Sequence, residues 1–123
     1  MKVLIADDSM VMRNIIGKTI IEMGHEKIEA ANGYEVLLQL AKYENRIGLI
    51  LLDWNMPKMD GFEVLKRIKE HKRLGSIPVL MVSTESEEES VKRAIAAGAT
   101  GYIPKPFSPE ELATAIKATL EAR

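Results

Sequence analysis

Three acids, a hydroxyl and an ammonium each stand at the end of an apolar run. Asp7 and Asp8 follow Val3-Leu4-Ile5-Ala6, and Asp53 follows Leu49-Ile50-Leu51-Leu52. Ser83 follows Val79-Leu80-Met81-Val82, and Lys105 comes just after Tyr102-Ile103. If those runs are parallel strands of one sheet, all five groups collect at one edge, where open α/β sheets place their reactive groups. Three carboxylates gathered there repel one another and are tolerated when a cation shares the site. Every candidate ligand is an oxygen, which selects a hard ion. Mg²⁺ fits best, because it takes one or two carboxylates and completes its octahedron with water and phosphate oxygens. Asp53 is then the nucleophile, attacking a phosphoryl group to give an acyl phosphate. Its strand is central, and a loop follows it rather than a helix cap. Catalysis of this kind is mostly positioning and charge neutralisation, for which Lys105 and Ser83 are at hand.

The elements that must hold these groups alternate strictly. Lys2–Ala6 reads as a buried strand, and Asp8 or Ser9 caps a helix whose apolar pattern at Val11, Met12, Ile15, Ile16, Thr19 and Ile20 has a helical period, ended by Gly24. Glu26–Ala30 is a weaker strand near an edge. Asn32 with Glu35 opens a second helix that buries Val36, Leu37 and Leu40. After the strand that ends in Asp53, Asp60 and Glu63 start a third helix with Phe62, Leu65 and Ile68 inward. Pro78–Ser83 is the next strand. Ser86 and Glu89 form a capping box for a fourth helix on Val91, Ala94 and Ile95, stopped by Gly98. A short strand at Tyr102-Ile103 is expected to end before Pro104, which lacks an amide donor. Ser108-Pro109-Glu110-Glu111 starts the last helix with a cap, a proline and a capping-box glutamate, and Leu112, Ile116 and Leu120 face inward. Five strand–helix repeats imply parallel strands, right-handed crossovers and helices on both faces of the sheet.

The chain has 123 residues, 46% hydrophobic and 28% charged, with a formal net charge of -1 and no cysteine. That is one domain with a real core. The charge balance speaks against nucleic-acid binding, and no apolar run reaches membrane-spanning length. Without cysteine, disulfides, thiolate metal sites and cysteine nucleophiles are excluded, which fits a cytoplasmic location.

Ile5-Ala6-Asp7-Asp8-Ser9, Leu51-Leu52-Asp53-Trp54-Asn55-Met56-Pro57, Asp60-Gly61, Ser83 and Lys105-Pro106-Phe107 together resemble the receiver domain of two-component response regulators. Through Trp54-Asn55-Met56-Pro57 and Gly101-Tyr102 the chain looks like the single-domain chemotaxis regulators of the CheY type. The resemblance spans essentially the whole chain, so residues 1–123 are expected to be one receiver domain with no output domain. It implies a doubly wound, flavodoxin-like (βα)5 fold whose five-stranded parallel sheet has the order 2-1-3-4-5, which also suits the length. It implies that Asp53 takes its phosphoryl group from a phosphohistidine on a sensor histidine kinase or histidine phosphotransfer protein. Asp8, Asp53 and the backbone carbonyl of Asn55 would hold Mg²⁺, with Asp7 acting through water. Lys105 matches the phosphoryl-binding lysine, with a cis bond to Pro106. Ser83 and Tyr102 match a switch pair that alters the face of the fourth helix, fifth strand and fifth helix, where a downstream protein binds. Asn55 and Glu85 match positions that set how readily water attacks the acyl phosphate. Such a protein is a monomeric switch that catalyses only its own phosphorylation and dephosphorylation.

Other functions fit less well. An aspartyl phosphatase of the haloacid-dehalogenase type carries a second aspartate two residues after the nucleophile, where this chain has Asn55. No GxGxxG or GxxxxGK[ST] loop supports a nucleotide site. A phosphorylation-independent adaptor would not need the full set of site residues. Two features depart from the common receiver pattern. Pro104 precedes Lys105, and Glu87, Glu88 and Glu89 make one end of the signalling face acidic, which leaves a single-domain relay or adaptor acting on another kinase as the alternative to motor control.

Overall fold

The computed structural model describes residues 1–43, 46–84 and 88–122. Strands β1 (Lys2–Ala6), β2 (Glu26–Ala30), β3 (Ile47–Asp53), β4 (Val79–Ser83) and β5 (Gly101–Pro104) alternate with five helices. These are α1 (Met10–Glu22), α2 (Gly33–Tyr43), α3 (Gly61–Glu70), α4 (Glu88–Ala96) and α5 (Pro109–Glu121). All strand pairs are parallel, in the order β2-β1-β3-β4-β5. The apolar runs are long because β1, β3 and β4 are covered on both faces. Alternate residues separate into two cores. Val3, Ile5, Leu49, Leu51, Leu80, Val82 and Ile103 pack against Ile16 and Ile20 of α1 and Leu112 and Ile116 of α5. Leu4, Ile50, Leu52, Val79 and Met81 pack against α2, α3 and Ala94 of α4. Among the described residues no helix is long and apolar enough to cross a membrane.

Helix facing differs from the sequence expectation at several positions. On α1, Ile16, Thr19 and Ile20 are buried, while Val11 is 68% and Ile15 46% exposed. A helix buries a stripe about 100° wide. Here the 12–16–20 row lies on the sheet, and the 11–15 row is turned off it. The same rotation leaves Ile95 of α4 47% exposed beside buried Ala94. In α3 the core position goes to Val64 with Leu65 and Ile68, and Phe62 is only half-buried. In α5 Thr119 is buried, its hydroxyl donating to the Ala115 carbonyl (2.8 Å), while Leu120 is half-buried.

The end of β5 is a second correction. It runs through Pro104, in register with Ser83, and Lys105 N–H donates to the Ser83 carbonyl (2.8 Å). β5 is the edge strand, and the proline nitrogen falls where the ladder to β4 needs no donor. Caps follow the sequence closely. Ser9, not Asp8, caps α1 (Met12 N–H to Oγ, 3.1 Å), Asp60 caps α3 (2.9 Å), and Ser108 and Glu111 form the full capping box of α5. At α2, Asn32 Oδ1 accepts from the Glu35 backbone amide (3.0 Å) as expected, while Glu35 accepts from the Ala31 backbone amide (2.8 Å) and the Asn32 side-chain amide (3.4 Å) rather than from the Asn32 backbone. The expected box at Ser86 lies outside the described residues.

Candidate functional site

Asp7, Asp53 and Lys105 extend the strand alternation that points toward α1 and α5. Val3, Ile5 and Asp7 are in step, as are Leu49, Leu51 and Asp53, and Ile103 and Lys105. That shared parity brings residues far apart in sequence into contact at the C-terminal edge of the sheet. Lys105 Nζ donates to Asp7 Oδ2 at 2.9 Å and lies 3.4 Å from Asp53 Oδ1. Asp7 Oδ1 also accepts from the Ser9 amide (2.9 Å), and Asp53 Oδ1 from the Asn55 amide (3.3 Å). Asp7 and Asp53 are 1% and 4% exposed, whereas Asp8 is open to solvent. One carboxylate oxygen from each of the three acids lies within 4.8 Å of the other two. The Lys105–Pro106 bond is cis.

Charge at this edge is unbalanced. Burial, then the neighbouring Asp7 charge, raises the Asp53 carboxyl from 3.8 to about 6, despite Lys105 and the Asn55 amide. For Lys105, burial works against the ammonium, but the hydrogen bond to Asp7 and the charges of both acids prevail and hold it above the usual lysine range. One lysine thus faces three carboxylates. An all-oxygen donor set with surplus negative charge is chemically suited to a divalent hard cation, and the acidic cluster is able to hold a metal ion.

The loop after Asp53 is held by close backbone contact. Gly61 N–H donates to the Trp54 carbonyl (2.8 Å), and a Cβ at Gly61 would fall 2.0 Å from the Asp53 carbonyl oxygen. Only glycine permits that approach. Within the loop Met56 and Met59 are buried. Trp54 stacks on Phe62 (centroids 5.1 Å apart), and the Arg93 guanidinium of α4 lies 4.7 Å from the Phe62 ring and 5.9 Å from Trp54.

Ser83 and Tyr102 take the other alternation, in step with Val79 and Met81. Ser83 is fully buried at the end of β4, and half-buried Tyr102 packs against the core on the α4 side. Glu85 lies outside the described residues, as does Glu87. Glu88 and Glu89 are exposed in the first turn of α4.

Sequence reasoning passed over Arg13 of α1. Its Nη1 donates to the Asp7 carbonyl (2.7 Å) and its Nε to Glu29 Oε1 (2.9 Å). A spacing of four from the Ser9 cap, on the row that includes buried Gly17, was the available signal.

The comparisons with known proteins agree with this architecture. Residues 3–117 match the family described as the response regulator receiver domain. A chemotaxis protein CheY homolog of Campylobacter jejuni is 41% identical over 113 residues, covering 91% of this chain and 86% of the relative. Chemotaxis protein CheY1 of Helicobacter pylori is 37% identical over 122 residues, covering 98% and 97%. The solved structure of the chemotaxis response regulator CheY4 of Vibrio cholerae superposes with a TM-score of 0.89 at 37% identity, over 97% of this chain and 98% of that one. The chain therefore belongs to the response regulator receiver domains of two-component systems, among the homologues of CheY-type chemotaxis regulators.

Proposed function

We propose that residues 1–123 act as one receiver unit, a signalling switch that accepts a phosphoryl group on Asp53 from the phosphohistidine of a sensor kinase or histidine phosphotransfer protein. The observation that carries this reading is the meeting of three carboxylates within 4.8 Å, with Lys105 Nζ 2.9 Å from Asp7 and 3.4 Å from Asp53.

In the proposed step an Asp53 carboxylate oxygen attacks phosphorus, the P–N bond breaks, and its electron pair leaves on the imidazole nitrogen. Asp53 must be ionised to attack. Lys105 keeps its carboxylate form accessible and offers N–H donors to the phosphoryl oxygens. Asp8, Asp53 and the Asn55 carbonyl would hold Mg²⁺, with Asp7 acting through water; when bound, the ion supplies positive charge against the phosphoryl oxygens. Asp7 is already committed to Lys105 and the Ser9 amide, which suits an indirect role. Asn55 and Glu85 are assigned to the hydrolysis rate.

Ser83 and Tyr102 are assigned to the switch, carrying the change to the α4-β5-α5 face, where a downstream partner in chemotaxis reads it. A relay or adaptor role toward another kinase is the alternative, and exposed Glu88 and Glu89 favour a partner with basic surface.

Acetyl phosphate with Mg²⁺ is expected to add one phosphoryl group to the parent chain and none to Asp53→Asn, read by intact mass and peptide mapping. Undiminished labelling of Asp53→Asn sinks the assignment. Tyr102→Ala should keep the labelling and weaken partner binding.

A further inference from the structure

Arg13 spans two elements at the back of the acid cluster. Its side chain is 15% exposed, and its planar fork is used in two directions, toward the Asp7 carbonyl and toward Glu29. Glu29 is itself fixed. Its second carboxylate oxygen meets Lys27 Nζ at 3.3 Å, and its backbone carbonyl accepts from Gln39 (2.9 Å). The Asp7 carbonyl lies one residue past the last β1 rung, Ala6 opposite Ala30 and Leu52, so the sheet ladder no longer supplies it with a partner. A buried carbonyl left without a donor is costly. The peptide unit it belongs to joins Asp7 to Asp8, so whatever orients that carbonyl also orients the backbone from which Asp8 projects.

We propose that Arg13, braced by Glu29, is a positioning residue for the Asp7–Asp8 acid pair, setting the geometry with which the pair takes a divalent cation. The role rests on the reading of this edge as a cation and phosphoryl site. Arg13 does not serve as a phosphoryl-binding cation, because Glu29 already neutralises it. Lysine cannot replace it, since a single ammonium on a flexible stem does not reproduce a fork pointing two ways.

The sign of the effect separates positioning from simple electrostatics. Loss of a positive charge near a cation site tightens cation binding by Coulomb's law. Loss of a positioning contact weakens it, by about tenfold for groups that orient metal ligands. The test is a Mg²⁺ titration of the full chain followed by Trp54 fluorescence and by calorimetry, on the parent, Arg13→Gln, Arg13→Lys and Lys18→Gln, an exposed cation on the same helix. Expected is a midpoint raised about tenfold in both Arg13 variants and unchanged or slightly lowered in Lys18→Gln. A midpoint that stays put or falls in folded Arg13→Gln, or full rescue by Arg13→Lys, overturns the role.

A metal-free readout keeps the two readings apart. The Ser9 amide donates to Asp7 Oδ1 in the same turn, and its hydrogen exchange without Mg²⁺ should quicken about tenfold in Arg13→Gln while α5 amides hold. Unchanged Ser9 exchange overturns the positioning role by itself. A parent chain that takes up no Mg²⁺ overturns instead the reading of the edge as a cation site.

Discussion

The two sides of the C-terminal sheet edge are built differently. On the side of α1 and α5, buried Asp7 and Asp53 meet half-buried Lys105, with the Ser9 and Asn55 amides holding the two carboxylates and Arg13 holding the Asp7 carbonyl. On the other side, α4 offers one fully buried residue, Ala94, and leaves Ile95 half open; Tyr102 beside it is only half-buried. Burial and hydrogen bonding are concentrated where a reacting group must be placed. Sparse burial is found where the proposed output must move, as expected of elements drawn from the low-stability end of a fold. Trp54, Phe62 and Arg93 lie between the two, joining the residue after Asp53 to α4.

This contrast is open to attack from its rigid end first. Gly61→Ala drives a methyl into the Asp53 carbonyl and should cost about 3 kcal/mol or more in urea unfolding. A loss near zero would mean that the wall behind Asp53 yields readily.

Next comes pH. The Asp53 carboxyl is raised from 3.8 to about 6. Its contribution to the metal-free fold is therefore complete below the unfolded value and fades as pH rises through the folded one. The parent should lose about 2 kcal/mol more than Asp53→Asn between about pH 4 and about pH 8, after allowance for solvent at the open edge. Parallel pH profiles for the two proteins would show that burial and Asp7 place no strain on Asp53.

Arg93→Gln probes the link between the sides. It should cost about 0.5–1 kcal/mol and shift Trp54 emission, and an unchanged spectrum would remove Arg93 as a tie. Smallest of all is Ile95→Gln, expected within about 0.5 kcal/mol of the parent. A loss above 1 kcal/mol would mean that α4 is covered more fully than its exposure indicates.

Legibility in the sequence tracks the same division. Strands and the acids at their ends could be read because a doubly covered strand leaves an unbroken apolar run, whereas the strand order came with the receiver resemblance; parity along each strand, which sets Ser83 apart from Asp7, Asp53 and Lys105, went unused. Caps at Ser9, Asp60 and Ser108 could be read because their hydrogen bonds are local. Helix facing could not. Val11, Ile15, Phe62 and Ile95 are apolar at helical spacing, yet the rotation of each helix is decided by what it lands on, which no local pattern records. Arg13 was hidden for a related reason, since its partners come from β1 and β2. Pro104 misled because a missing donor matters only on the strand edge that needs one, and β5 turns the other edge outward.

The central claim is that a fixed acid corner drives a loosely held face. Hydrogen exchange of the parent with and without acetyl phosphate and Mg²⁺ tests it most directly. The account predicts altered exchange across residues 88–104, with β1 and the second half of α1 nearly unchanged, and no response in Asp53→Asn. A response confined to β1 and β2, or one that persists in Asp53→Asn, would contradict it.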